Sequence, residues 1–184
     1  RALQVFGEAG DQRGRADALR GLGALLSVQE PLEESLAVYR ELGDPRGEAA
    51  ALLDLAELHL AAGRRAEARE CAERRVAINR RLGDRLPEAS GLLALARIAR
   101  ADGLPDAAAV SARQAWEIFS LYGDRRGSAA ALLVQGEACL DMGEANEAVE
   151  ALTRAMGEFD GLGDEHGRAA AGRLAGEARA RLGL

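Results

Sequence analysis

The sequence predicts an all-α protein, an α-solenoid of antiparallel helix hairpins, on three observations. Composition favours helix: 48% of residues are hydrophobic but only 3% aromatic. Ala and Leu supply most of the apolar surface, and with Glu and Arg they are good helix formers, while the β-branched residues that favour strands are scarce. A phrase then recurs five times: "EAGDQRGRAD" (8–17), "ELGDPRGEAA" (41–50), "RLGDRLPEAS" (81–90), "LYGDRRGSAA" (121–130) and "GLGDEHGRAA" (161–170). Finally, the last three Gly-Asp intervals are 40 residues each, and Gly63, Gly103, Gly143 and Gly183 keep the same beat. A fixed period between 20 and 50 residues is the mark of stacked structural repeats.

The elements follow in order. Residues 1–9 read as the tail of a preceding second helix, with Leu3 and Phe6 in the registers of Leu36 and Tyr39. Units follow at 11–42, 44–82, 84–122 and 124–162, and 164–184 form a terminal helix. The first unit is seven residues short. Seven residues are close to two helical turns, so the buried face keeps its register, and the loss is expected around Glu30-Pro31.

In residues 44–82, Asp44 can cap the free N–H groups of a first helix, and Pro45 suits its first position. Leu52, Leu55, Ala56 and His59 share one helical face. Gly63 ends that helix, because glycine tolerates the left-handed C-terminal conformation. Ala68, Ala72, Val76 and Leu82 mark the return helix, and Gly83 ends it. The recurring phrase is therefore a helix stop followed by a helix start. Tyr39, Phe119 and Phe159 share one register, in which Asn79 is the exception; Leu36, Val76, Trp116 and Met156 share another. Trp116 is the largest side chain expected in the core.

These residues resemble tetratricopeptide repeats (TPR). "LLDLAELHLAAGRRAEA" (52–68) has that family's helix–Gly–helix cadence, with Leu55 and Ala56 where the pattern has Leu-Gly, His59 where it has Tyr, and Ala68 at its small position. "GEANEAVEALTRAM" (143–156) matches through Gly143, Ala148, Leu152 and Ala155. The usual unit has 34 residues. The 40-residue variant with Gly-Asp junctions looks like repeats in large ATP-dependent bacterial transcription regulators and in cell-polarity scaffolds. The resemblance implies a single domain over 1–184, a right-handed superhelix, and a concave groove lined by the first helices of each unit.

Transferred residue by residue, the groove would present Asp17 and Arg20, then Leu53, Asp54, Glu57 and Leu60, then Leu93, Arg97 and Arg100, then Leu133, Glu137, Leu140 and Asp141, and last Arg173, Glu177 and Arg181. Leu53, Leu93 and Leu133 stand one period apart and would form an apolar strip. The resemblance implies a non-enzymatic module that holds a protein or peptide segment there, as a sensor domain of a bacterial, cytoplasmic regulator; an alternative is a scaffold that self-associates through its solenoid ends. Arg97 and Arg100 would either orient a partner or pair with Glu57 and Glu137 on adjacent helices. The strip would either meet a partner or belong to the core.

Composition excludes little else by itself. A net charge of −6 argues against nucleic acid and anionic membranes as partners. No apolar run approaches the roughly 18 residues of a membrane helix. Two cysteines, Cys71 and Cys139, suit a reducing cytoplasm and read as small hydrophobes. The chain begins at Arg1, consistent with a fragment or an excised domain.

The motifs of catalysis are missing: no Gly-Lys-Ser/Thr phosphate loop, no HExxH, no CxxC. The glycines of "GLGDEHG" (161–167) are repeat punctuation with no strand before them. His59 and Cys139 lie two repeats apart, about 20 Å at normal helix spacing, too far for a dyad or shared metal. His59 reads as a half-buried substitute for Tyr, and His166 as exposed. Glu33 and Glu34 sit on a charged helix surface. No cofactor and no metal site is expected. The arginines of 64–85, from Arg64 to Arg85 through Arg74 and Arg75, read as a solvated face with i,i+4 partners, such as Arg74 with Glu70; the alternative is a patch for an acidic partner.

Overall fold

The computed structural model describes residues 11–184, so the helix tail expected at 1–9 lies outside the described residues. All regular structure among them is helical: α1 Gln12–Leu26, α2 Gln29–Glu41, α3 Pro45–Ala61, α4 Arg65–Leu82, α5 Arg85–Ala101, α6 Pro105–Leu121, α7 Arg125–Met142, α8 Ala145–Gly161 and α9 Glu165–Arg181. The chain groups into two compact units, residues 1–84 and 85–184.

The phrases at 41–50, 121–130 and 161–170 each do three jobs. The first glycine of each takes the left-handed conformation that closes the preceding helix, with φ of 62° at Gly43 and 70° at Gly123. Its aspartate then caps the next helix. The side chains of Asp11, Asp44, Asp124 and Asp164 accept from the backbone N–H of Gly14, Gly47, Gly127 and Gly167 at 2.8, 3.0, 2.9 and 2.8 Å. The third job belongs to that second glycine. A Cβ at Gly47, Gly127 or Gly167 would collide with the ring of Tyr39, Phe119 or Phe159, the aromatic that ends the preceding helix. The sequence reading missed it, although its signal is there: at the junction where Asn79 replaces the aromatic, Pro87 replaces the glycine.

Within the first unit, α1 packs on α2, α2 on α3 and α3 on α4, and the first helices α1 and α3 also touch. Leu32, Leu36, Tyr39, Leu52, Leu55 and Ile78 form its core. In the second unit, successive helices from α5 to α9 pack in the same manner, and α7 touches both α5 and α9. Its main core joins Leu132, Cys139, Leu152 and Phe159 to Ala129, Ala155, Ala171 and Ala175. Every second helix returns antiparallel to its first, so each unit is built of stacked hairpins.

Two expectations change. The shortened hairpin spreads its deletion: α1 has 15 residues and α2 13, against 17 or 18 in the later helices. Its turn falls at Ser27, which itself takes the left-handed conformation at φ 55°. Trp116 is half-buried rather than enclosed. It packs on the core with one face, and the Arg154 guanidinium stacks 4.2 Å from its ring centroid on the other. An indole is too large for the alanine-lined space between these helices, so the ring lies along its edge, where a cation can cover it.

Candidate binding face of the first helices

The core positions of α3 set its outer face. Leu52, Leu55, Ala56 and His59 are buried, which turns Leu53, Asp54, Glu57 and Leu60 the other way. Leu53, Asp54 and Leu60 are half-buried and Glu57 is exposed. From α1, Arg20 donates through Nη1 to Asp54 Oδ2 at 2.9 Å. Burial is the largest single influence and works against the Arg20 charge, but the hydrogen bonds and charges of Asp54 and Tyr39 together outweigh it, so its pKa is raised. The Tyr39 hydroxyl donates to Asp17 Oδ1 at 2.5 Å; burial and that carboxylate both push its pKa up. Glu57 has no ion-pair partner among the described residues.

Arg75 of α4 is a correction to the sequence reading. It is not part of a solvated face but only 7% exposed, and its Nη1 has no hydrogen-bond partner. Burial lowers its pKa, opposed by the nearby charges of Glu57 and Asp54. The signal was in the register: Ser35, Ala115 and Ala155, one or two periods away, are buried small residues. Other arginines of this stretch do act as expected. Arg74 reaches Glu48 at 3.4 Å and Glu70 at 4.0 Å. Arg64 Nε donates to His59 Nδ1 at 2.9 Å and Nη2 to Gln29 Oε1 at 3.1 Å, which seats His59 as a buried structural side chain.

In the second unit, α5 and α7 carry the corresponding faces. Leu93 is 8% exposed and Leu140 5%, so both belong to the packed interior. Leu133 is half-buried against the core, and Arg97 and Asp141 are exposed. Arg100 clamps the face internally: Nη1 donates to Glu137 Oε2 at 3.0 Å and Nε to Asp141 Oδ2 at 2.7 Å. Of the two roles open to Arg100 from sequence, pairing with a neighbouring helix is the one the geometry displays. Arg181 of α9 does the same from the other side, donating to Leu140 O at 2.7 Å and Glu177 Oε1 at 2.6 Å. In the first unit Glu57 is exposed and Leu53 and Leu60 are half-buried; in the second, taken by itself, Arg97 and Asp141 are exposed and Leu133 is half-buried.

Both thiols are free. Burial pushes Cys139 up to about 11 and raises Cys71 as well, the opposite of an activated nucleophile. His166 is exposed. Among the described residues no three His, Cys, Asp or Glu side chains are placed to hold a metal ion, and no helix is long and apolar enough to cross a membrane.

No family model matches the sequence, and no curated protein matches it. Solved structures do resemble it. One is a signal transduction ATPase with numerous domains (STAND) that carries a tetratricopeptide repeat sensor, from Pyrococcus horikoshii: TM-score 0.81 at 15% identity, over 91% of this chain and 27% of that one. The chain thus spans about a quarter of that protein's length. A second is a putative kinesin light chain with nearly identical TPR-like repeats from Podosopora anserina: TM-score 0.66, 23% identity, covering 95% of this chain and 92% of that one. A third is BtubC (BKLC) from P. vanneervenii: TM-score 0.66, 19% identity, covering 97% and 82%. The fold is that of a TPR-type helical repeat protein.

Proposed function

We propose that the chain is a non-enzymatic module that binds a protein or peptide segment on the outer face of its first helices. The observation that carries this is on α3: Leu53 and Leu60, half-buried, flank Glu57, exposed and without an ion-pair partner among the described residues. Residues four and three apart share one helix face, so two apolar anchors and one orienting charge stand in a row. Helical repeat folds use such faces to hold segments through spaced apolar anchors. In the second unit Arg97 and Leu133 hold the registers of Glu57 and Leu53.

The likeness to a STAND protein's repeat sensor supports a further step, that the module is the sensor part of a larger regulatory protein. Two free thiols fit the reducing cytoplasm in which such a regulator would work. The test is a quantitative comparison of captured partners for three proteins. These are the wild-type chain, a face variant (Leu53→Glu, Glu57→Arg, Leu133→Glu) and a variant with changes on α8 (Glu150→Arg, Arg154→Glu), each checked for helicity. Loss of the same partner from the face variant alone supports the reading. Retention of every partner by a folded face variant defeats it. A mass that rises with concentration in all three would favour the self-associating scaffold.

A further inference from the structure

Three pairs of adjacent first helices occur within the units: α1 with α3, α5 with α7, and α7 with α9. Their registers correspond when counted from the capping aspartates. Glu57, Glu137 and Glu177 each stand thirteen positions after one. Arg100 and Leu140 stand sixteen after, on the earlier helix of their pairs, and Ser27, the residue that caps α1, holds the same count; Ala61, Asp141 and Arg181 stand seventeen after, on the later helix.

Between α5 and α7 a guanidinium fills the junction. Arg100, from the sixteenth position of the earlier helix, bonds Glu137 and Asp141. Between α7 and α9 a guanidinium fills it again, now from the later helix: Arg181 bonds Glu177 and the Leu140 carbonyl. Between α1 and α3 the glutamate is in place as Glu57, while Asp54 beside it is held by Arg20. Both arginine registers, however, hold small residues, Ser27 and Ala61. The result is a cleft of about 220 Å³ lined by Ser27, Asp54, Glu57, Leu58 and Ala61, with Leu32 beneath.

We infer that this cleft takes an arginine side chain from the bound segment. Its volume lies below the roughly 300–1,000 Å³ of small-molecule pockets and suits one side chain. Gly23, Ala24 and Ser27, at the C-terminal end of α1 where the helix carries its partial negative charge, line the cleft beside the Glu57 carboxylate. The two internal occupants are both guanidinium groups bridging two acceptors, an arrangement that a planar fork of fixed donors fits better than the point charge of an ammonium. Leu25 and Leu26, beside Ser27, are 82% and 59% exposed and give the flanking residues of such a segment an apolar surface.

This inference rests on the proposed segment-binding role, and its test is independent of any natural partner. The 15N-labelled chain is titrated with N-acetyl-arginine amide and, separately, with N-acetyl-citrulline amide, which keeps the shape without the charge. Arginine amide is expected to give saturable shifts at the amides of Ser27, Glu57 and Ala61, with citrulline amide at least about tenfold weaker. Glu57→Gln should weaken the arginine probe by a similar factor. Ser27→Arg, and in a separate protein Ala61→Arg, should refill the cleft from within and abolish the shifts. Equal response to citrulline, unsaturating shifts scattered over surface carboxylates, or unchanged binding by Glu57→Gln would each overturn the assignment. Should it fall while the face variant still loses a partner, the segment-binding role stands without this pocket.

Discussion

The ring of Phe119 lies against the backbone of Gly127: a Cβ on that glycine would come 2.5 Å from the ring's Cγ. The aromatic at the end of one hairpin thus demands the glycine at the start of the next. Gly127→Ala is expected to destabilise the chain by about 1–3 kcal/mol, as overpacking does in a filled core. Gly157→Ala, in the middle of α8 with nothing within 4 Å of its added Cβ, should instead stabilise by up to about 1 kcal/mol through helix propensity. Urea unfolding of both variants checks the opposite signs. A Gly127→Ala protein as stable as wild type would show that the ring moves aside at no cost.

A second complementarity crosses each hairpin. Gly136 on α7 faces Leu152 on α8, and a Cβ at Gly136 would lie 2.7 Å from Leu152 Cδ2. In the same registers Gly23 faces Leu32, whereas Ala56 and Ala96 are matched with Ala72 and Ala112. Gly136→Ala should cost about 1–3 kcal/mol and Leu152→Ala about 2–5 kcal/mol. The double variant reproduces the Ala–Ala pairing of the two middle hairpins, so its loss should fall short of the sum by about 1 kcal/mol or more. A double-mutant cycle in urea measures this; strict additivity would mean that the two residues do not share the space.

The capping aspartates should be separable from the glycines they bond. Asp124→Ala removes the acceptor for the Gly127 N–H and is expected to cost about 1 kcal/mol, while Asp124→Asn should cost only a few tenths. Thermal unfolding of the two variants side by side distinguishes a lost cap from a lost charge.

Cys139 should be slow to react. With its pKa pushed up to about 11 by burial, the folded state favours the neutral thiol. The associated stability is fully present below the thiol's ordinary value of 9.0 and is lost as pH rises through about 11. At pH 8, alkylation of Cys139 by iodoacetamide should be roughly a hundredfold slower in the folded chain than in urea, followed by site-resolved mass spectrometry. Equal rates in the two states would place the thiol in contact with solvent.

Much of the fold was legible because its signals are local. The left-handed Gly43, the cap at Asp44 and the proline at the start of α3 act over three or four residues, and the apolar spacing of Leu52, Leu55 and His59 needs only one helix. The candidate site was legible in part. The family resemblance put Leu53, Glu57 and Leu60 together on α3, and none of the three is among that helix's buried residues. The same transfer placed Leu93 and Leu140 on that face, and both are buried, because neighbouring helices cover part of any face that a single helix presents.

By itself, then, the sequence determined where helices start and stop and that they pair into hairpins at a forty-residue step, since backbone caps and helical spacing are settled by near neighbours along the chain. Only the tertiary structure decided that Trp116 lies half out under Arg154, that Arg75 is buried, that Arg100 and Arg181 close two junctions between first helices and that the junction at Ser27 and Ala61 stays open. Those outcomes depend on side chains some 34 to 41 residues apart meeting across packed helices, where available volume and charge, not local propensity, choose the partner.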